Sequence, residues 1–287
     1  MVATTPARTP GDTPVSTAGG PAPRPARLRA MLCCQVDYWL TLQRRTWRGW
    51  VVSAFFTPVL YLAALGVMLG RYVDQATSSV GGAPSYLHFV APGLLAGQAM
   101  LLAVGDATYP VYGKITWDRT YVGMLATPLR VVDVVIGHLV AIVLRVGLSC
   151  GIFMISFALF GLFADVTGAL AAFVVQFVIA FAFAGPVFAF TAGLRGDSAF
   201  AFLHRVVQVP LYLFSGAFFP VEHLATPVQW VAKALPLWHG VELTRRAMLP
   251  GDGADLLVAA GHLAYLVALG ALGWWLAVRR LTRRLIT

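Results

Sequence analysis

The sequence predicts an all-α polytopic membrane protein with six transmembrane helices. Three observations carry that prediction. Of 287 residues, 59% are hydrophobic and only 11% charged, where soluble globular proteins carry about 25% charged residues. Mean hydropathy is +0.76. Six apolar runs are long enough to cross a bilayer core, which needs about 20 helical residues, and most cationic side chains fall on one side of the membrane those runs imply.

Residues 1–24 are rich in Pro, Thr, Ala and Gly and lack the apolar core of a signal peptide. That composition predicts a disordered cytoplasmic tail. Residues 25–287 then form one transmembrane domain. Over 25–46, Leu28, Met31, Leu32, Trp39, Leu40 and Leu42 mix with Arg27, Arg29, Arg44 and Arg45, a pattern suited to a helix lying along the membrane surface. The spans are expected at about 49–69 (with Pro58 inside), 86–106, 131–163, 168–194, 200–219 and 256–278. The third run would be about 50 Å long at 1.5 Å per residue, so its excess projects into the cytoplasm or bends. Trp274 and Trp275 close the sixth run as an interfacial aromatic belt would.

Two connections are long. The one over 109–130 mixes polar and aromatic residues at helical spacing and stops at Pro128. The one over 220–255 holds PVQWVAKAL and LWHGVELTRRAML on either side of Pro236. Both pieces are too short and too charged to span, which predicts two short amphipathic helices at the outer membrane face. With the N-terminus inside, sixteen Lys and Arg lie on the inner side. Four lie outside, namely Arg71, Lys233, Arg245 and Arg246, and Arg145 lies within the third run. The positive-inside rule therefore places both termini in the cytoplasm of a cell that carries this chain in its plasma membrane.

The net charge of +9 does not sit on one folded face. Arg8, Arg24, Arg27 and Arg29 are in the N-terminal tail, and Arg279, Arg280, Arg283 and Arg284 are at the C-terminus. Such flanks meet membrane lipids, and without an aromatic-basic module no nucleic-acid partner is expected. The cysteines Cys33, Cys34 and Cys150 make no metal or redox spacing. Cys150 reads as a packing residue, and lipidation of the juxtamembrane pair is the alternative to a plain role. No GxxxxGK[ST] occurs: Lys114 follows Gly113, but Ile115 replaces the required hydroxyl residue, so the chain has no phosphate-cradling loop.

The remaining motifs divide between packing and chemistry. Gly147 to Gly151 reads GxSxG, but inside a continuous apolar run, where a nucleophile elbow needs a strand, a turn and a helix. The same glycines form GxxxG, as do Gly66 with Gly70 and Gly93 with Gly97, which favours close helix packing. Ser149 with His262 as its base would make an intramembrane serine protease, although Cys150 stands where such proteases carry Gly. Asp106 and Arg145 should lie at similar depth on consecutive spans, and they either pair or snorkel independently. Glu222, His223, His239 and Glu242 lack metal-ligand spacing and read as helix surface. An ion-coupled secondary transporter would need polar groups at mid-membrane, where Gln176 and His262 are the main ones. Trp117, Asp118 and Arg119 put an aromatic anchor between polar neighbours, which suits a partner groove or the headgroup layer.

The runs YLHFVAPGLLAGQAM at 86–100, MLATPLRVVDVVIGHLV at 124–140 and SGAFFPVEHLATPVQWVAKALPLWHGVELTRRAML at 215–249 resemble the membrane subunit of an ABC type-2 exporter, in the subgroup of nodulation-factor and antibiotic-efflux permeases. The resemblance covers nearly the whole chain after the tail. It implies six spans, a homodimer or paired permeases, and export of an amphipathic drug, lipid or lipo-oligosaccharide. It also implies a separate cytoplasmic ATPase that holds ATP and magnesium, while this chain binds no cofactor or metal and is not itself an enzyme. A coupling helix would span about 112–125 and present Tyr112, Lys114, Trp117, Asp118, Arg119 and Tyr121 to that ATPase. Trp238 and His239 would shape the exit. The Pro-rich tail has no counterpart in this pattern.

Overall fold

The computed structural model describes residues 55–56, 59–64, 70, 83–249 and 255–286. The tail over 1–24, the surface helix expected over 25–46, Cys33, Cys34 and most of the first expected span lie outside the described residues. Among the described residues the regular elements are helical. The first long helix, α1 (Tyr86–Ala107), begins where Ser85 Oγ accepts the His88 N–H. Two short helices follow, α2 (Tyr109–Thr116) and α3 (Thr120–Leu125). The long helices α4 (Val131–Leu159) and α5 (Val166–Gly193) come next. A segmented run then comprises α6 (Ser198–Phe202), a π-helical stretch over Leu203–Gln208, and α7 (Val209–Leu213). After a 3-10 turn at Val221–His223 come α8 (Thr226–Ala234), α9 (Pro236–Met248) and α10 (Leu256–Leu285).

Among the described residues, four stretches are long and apolar enough to cross a membrane: Tyr86–Thr116, Val131–Leu159, Val166–Gly193 and Leu256–Leu285. The run expected to end near 163 stops earlier: α4 has 29 residues, about 44 Å rather than 50 Å. The excess over a bilayer core is not peculiar to it, since α5 has 28 residues and α10 has 30. The apolar run of α10 ends before Arg279, but arginine is a good helix former, so the helix continues to Leu285 after the apolar surface stops. The fifth expected span, 200–219, is helical only through Leu213. Its last residues are apolar because they fold into protein. Gly216 takes a positive φ of 76°, Ala217 is fully buried, and the Ser215 hydroxyl donates to the Tyr212 carbonyl at 2.8 Å.

Two helices form the centre. Phe89, Val90, Leu94, Leu95, Ala96 and Met100 of α1 are almost wholly buried, and α5 packs against α1, α4, α9 and α10. The α5–α10 contact is made by small residues: a Cβ on Gly185 would come within 2.7 Å of the Gly270 carbonyl, and one on Gly273 would overlap the Pro186 nitrogen. Backbone this close supplies dispersion contact that hydrocarbon solvent cannot. The glycines of the GxSxG run serve packing in another way. The Phe177 ring lies over Gly147 and Phe173 over Gly151, both from α5. Gly93 of α1 meets the Ala217 backbone at 2.5 Å from where its Cβ would stand.

Candidate functional site

The α1–α4 connection is two helices with a corner between them, where the sequence had suggested one. α1 ends at Thr108, whose hydroxyl donates to the Gly105 carbonyl at 2.9 Å. Pro110 then starts α2, where its missing N–H costs nothing. α2 closes with the N–H groups of Trp117 and Asp118 both donating to Gly113 O at 2.9 Å. Arg119 turns the chain with φ 50°, a left-handed conformation that costs a non-glycine residue about 1–3 kcal/mol. After α3, the Arg130 N–H donates to Asp133 Oδ2 at 3.0 Å and starts α4.

The corner is the exposed part. Trp117 is 61% exposed, and Asp118 and Arg119 beside it are exposed. Tyr112, Lys114 and Tyr121, expected to share a docking face with them, are instead buried at 5%, 8% and 1% exposure. They brace the corner. The Trp117 ring stands edge-on to Tyr112 with centroids 5.5 Å apart, and Tyr112 packs against Phe200 of α6 and donates to the Arg195 carbonyl at 3.3 Å. Arg284 of α10 donates to Thr116 Oγ1 at 3.1 Å. Tyr121 Oη and His138 Nδ1 of α4 are 2.7 Å apart in a hydrogen bond, and both rings rest on Phe188 of α5. The Trp117 corner is thus in contact with α4, α5, α6 and α10.

Sequence reasoning missed His138 and Arg284. His138 was findable, because an ionisable residue inside the apolar run VVIGHLVAIV is itself a signal. Arg284 was not, since nothing local separates it from the other C-terminal arginines.

Asp106, in the last turn of α1, and Arg145, midway along α4, are brought together with Arg145 Nη1 3.1 Å from Asp106 Oδ1. Pro110, Ala141 and Ile142 surround them. Asp106 Oδ2 and Arg145 Nε have no protein partner, so the pair is single-pronged.

In the α7–α10 connection, α9 is wedged between α1 and α5 with Leu237, Val241 and Thr244 fully buried. Trp238 and His239 face α10. His239 Nδ1 is 2.6 Å from His262 Nδ1, the His239 ring stacks on Tyr265 at 4.1 Å, and Trp238 meets the His262 ring edge-on at 5.1 Å. Burial, reinforced by His262, pushes His239 down to about 4, so it is neutral at pH 7. The polar groups read as surface are partly committed: Glu242 pairs with Arg246 at 2.9 Å and with Arg245 at 3.6 Å. Arg245 was not foreseen as structural. It donates to the Gly216 carbonyl at 2.8 Å and lies over the Phe89 ring, and its burial lowers its pKa from the usual arginine value. No group of three metal-ligating side chains occurs among the described residues.

The residues weighed for enzyme and ion-coupling roles have these places in the structure. Ser149 lies within the unbroken helix α4 and His262 is engaged by His239. Gln176 donates to Ala172 O and to Thr244 Oγ1, tying α5 to α9.

Residues 35–249 match the family described as ABC-2 type transporter. Nodulation protein J of Sinorhizobium fredii is 32% identical over 91% of this chain and 99% of its own length. Nodulation protein J of Rhizobium leguminosarum bv. trifolii is 31% identical over 86% of this chain and 94% of its own, and that of Bradyrhizobium diazoefficiens is 30% identical over 86% and 94%. A bundle of long apolar helices, matched along most of its length, makes this chain a multi-pass transport permease, and it belongs to the ABC-2 type transporter family.

Proposed function

We propose that the chain is the membrane subunit of an ATP-driven exporter powered by a separate ATPase, which binds the ATP and magnesium. The observation that carries this reading is the Trp117–Asp118–Arg119 corner: an exposed aromatic followed by two charged residues, in contact with α4, α5, α6 and α10. Such a corner converts movement of a docked partner into movement of the bundle. Six spans, two permease copies around one path and cytoplasmic termini complete the proposal. In that arrangement the corner faces the cytoplasm, and α8 and α9, with Trp238 and His239, border the exit.

The substrate is amphipathic: a drug, a lipid or a lipo-oligosaccharide. Support comes from a groove of about 290 Å³ lined by Ile136, Leu139, Val143, Phe181 and Trp274, with apolar walls suited to an acyl chain. Inverted membrane vesicles carrying the chain and its ATPase test the reading. Uptake of a fluorescent acylated oligosaccharide should require ATP and survive ionophores. Uptake abolished by ionophores and indifferent to ATP would indicate a secondary transporter instead.

A further inference from the structure

Arg195, Arg280, Arg283 and Arg284 line one cleft of about 600 Å³ where the C-terminal end of α5 meets the last turns of α10. Phe190 and Leu194 form an apolar wall, and among the described residues no carboxylate lines it. The cleft is built rather than incidental. Arg280 donates to the Ala189 carbonyl at 3.1 Å and Arg284 to the Ala192 carbonyl at 3.2 Å, so the open carbonyls at the end of α5 fix two guanidinium groups. A guanidinium has five N–H donors; Arg280 commits Nη1 to Ala189, and Arg284 commits Nη1 to Thr191 and Ala192 and Nη2 to Thr116, which leaves donors on both.

Depth says what the cleft meets. Arg280 lies 24 residues beyond Leu256, about 36 Å along a helix, and a hydrocarbon core is about 30 Å thick within about 40–45 Å including headgroups. The cleft therefore opens in the headgroup layer of one leaflet. The preceding turns of α10 expose Leu272 and Trp275, and Arg279 sits over the Trp275 ring at 4.5 Å, the amphipathic pairing that suits a membrane interface.

We propose that this cleft binds the phosphate of an anionic phospholipid headgroup. Forked guanidinium donors match phosphate oxygens, and the Phe190–Leu194 wall faces the apolar end of the same molecule. The proposal holds whichever way the chain is oriented and does not depend on the ATPase or the transported substrate.

Native mass spectrometry of the purified full-length chain tests it, with phosphatidylglycerol, phosphatidylcholine and inorganic phosphate as separate titrants. Phosphatidylglycerol should be retained at least about tenfold more tightly than phosphatidylcholine. Arg195→Gln with Arg283→Gln should weaken it by about fivefold per arginine, the equivalent of about 1 kcal/mol each. Arg280→Lys, which keeps the charge but not the fork, is a milder variant should the double change not fold, and it should also weaken retention. Arg130→Gln, outside the cleft, should not. Equal retention of the two lipids, or unchanged retention in both cleft variants, overturns the proposal. Inorganic phosphate binding as tightly as the lipid would make this a soluble-anion site.

Discussion

Replacing Trp117 by alanine removes an indole that is 61% exposed. Its main protein contact is one edge-on aromatic pair with Tyr112 at 5.5 Å, and such pairs contribute about 0.5–1.5 kcal/mol. The helices that hold the corner keep the Tyr121–His138 bond and the Arg284–Thr116 bond. The variant should therefore insert and fold with a small loss of stability. If the indole fills a groove in the ATPase, its truncation should cost at least about 2 kcal/mol of docking energy, as an interfacial aromatic anchor does, or roughly 30-fold in Kd. The assay is a titration of ATPase onto the chain in nanodiscs, with Trp230→Ala as the comparison. Trp230 is 73% exposed on α8, in the connection proposed to face away from the ATPase, and its loss should leave Kd unchanged. Equal affinity for wild type and Trp117→Ala, at normal folding, would refute the coupling role.

Three further outcomes are expected. Asp106→Asn leaves Arg145 without its 3.1 Å partner; because Arg145 is 35% exposed, the cost falls from the 3–5 kcal/mol of a fully buried pair to about 1–2 kcal/mol. Adding Arg145→Gln should restore part of it in a thermal-unfolding comparison. Gly273→Ala drives a methyl into the Pro186 backbone, and overpacking of about 1–3 kcal/mol should appear as a lower melting temperature, whereas Gly123→Ala, with open space around it, should be silent. His239, held down to about 4 against about 6.5 unfolded, takes up a proton in the unfolded state first. Stability should therefore be unaffected above pH 6.5 and fall as pH drops from 6.5 towards 4, and His239→Gln should flatten that slope in a melting-temperature series.

Helix-forming apolar runs were legible because burial in lipid requires uninterrupted apolar helix, and α1, α4, α5 and α10 follow them closely. Their ends were not, for two physical reasons. Arginine continues a helix past its apolar surface, as in α10. An apolar run also continues past a helix where protein covers it, as at 214–219. The long-range contacts were harder still. That Asp106 and Arg145 share a depth could be counted along the chain, but that Tyr121 is buried on Phe188 while Trp117 is not depends on the left-handed turn at Arg119. No local pattern announces that turn. Of the residues expected on one face over 112–125, Trp117, Asp118 and Arg119 are exposed, whereas Tyr112 and Tyr121 turn inward.

The proposed coupling role puts the α2–α3 corner where an ATPase engages this permease. Photo-cross-linking reads that directly: a benzophenone-bearing residue is placed at position 118 in place of Asp118, or at position 230 in place of Trp230, in cells that carry the ATPase. An ATPase adduct is expected from position 118 and none from position 230. An adduct from position 230 alone, or none from position 118 while ATP-driven export persists, would contradict it.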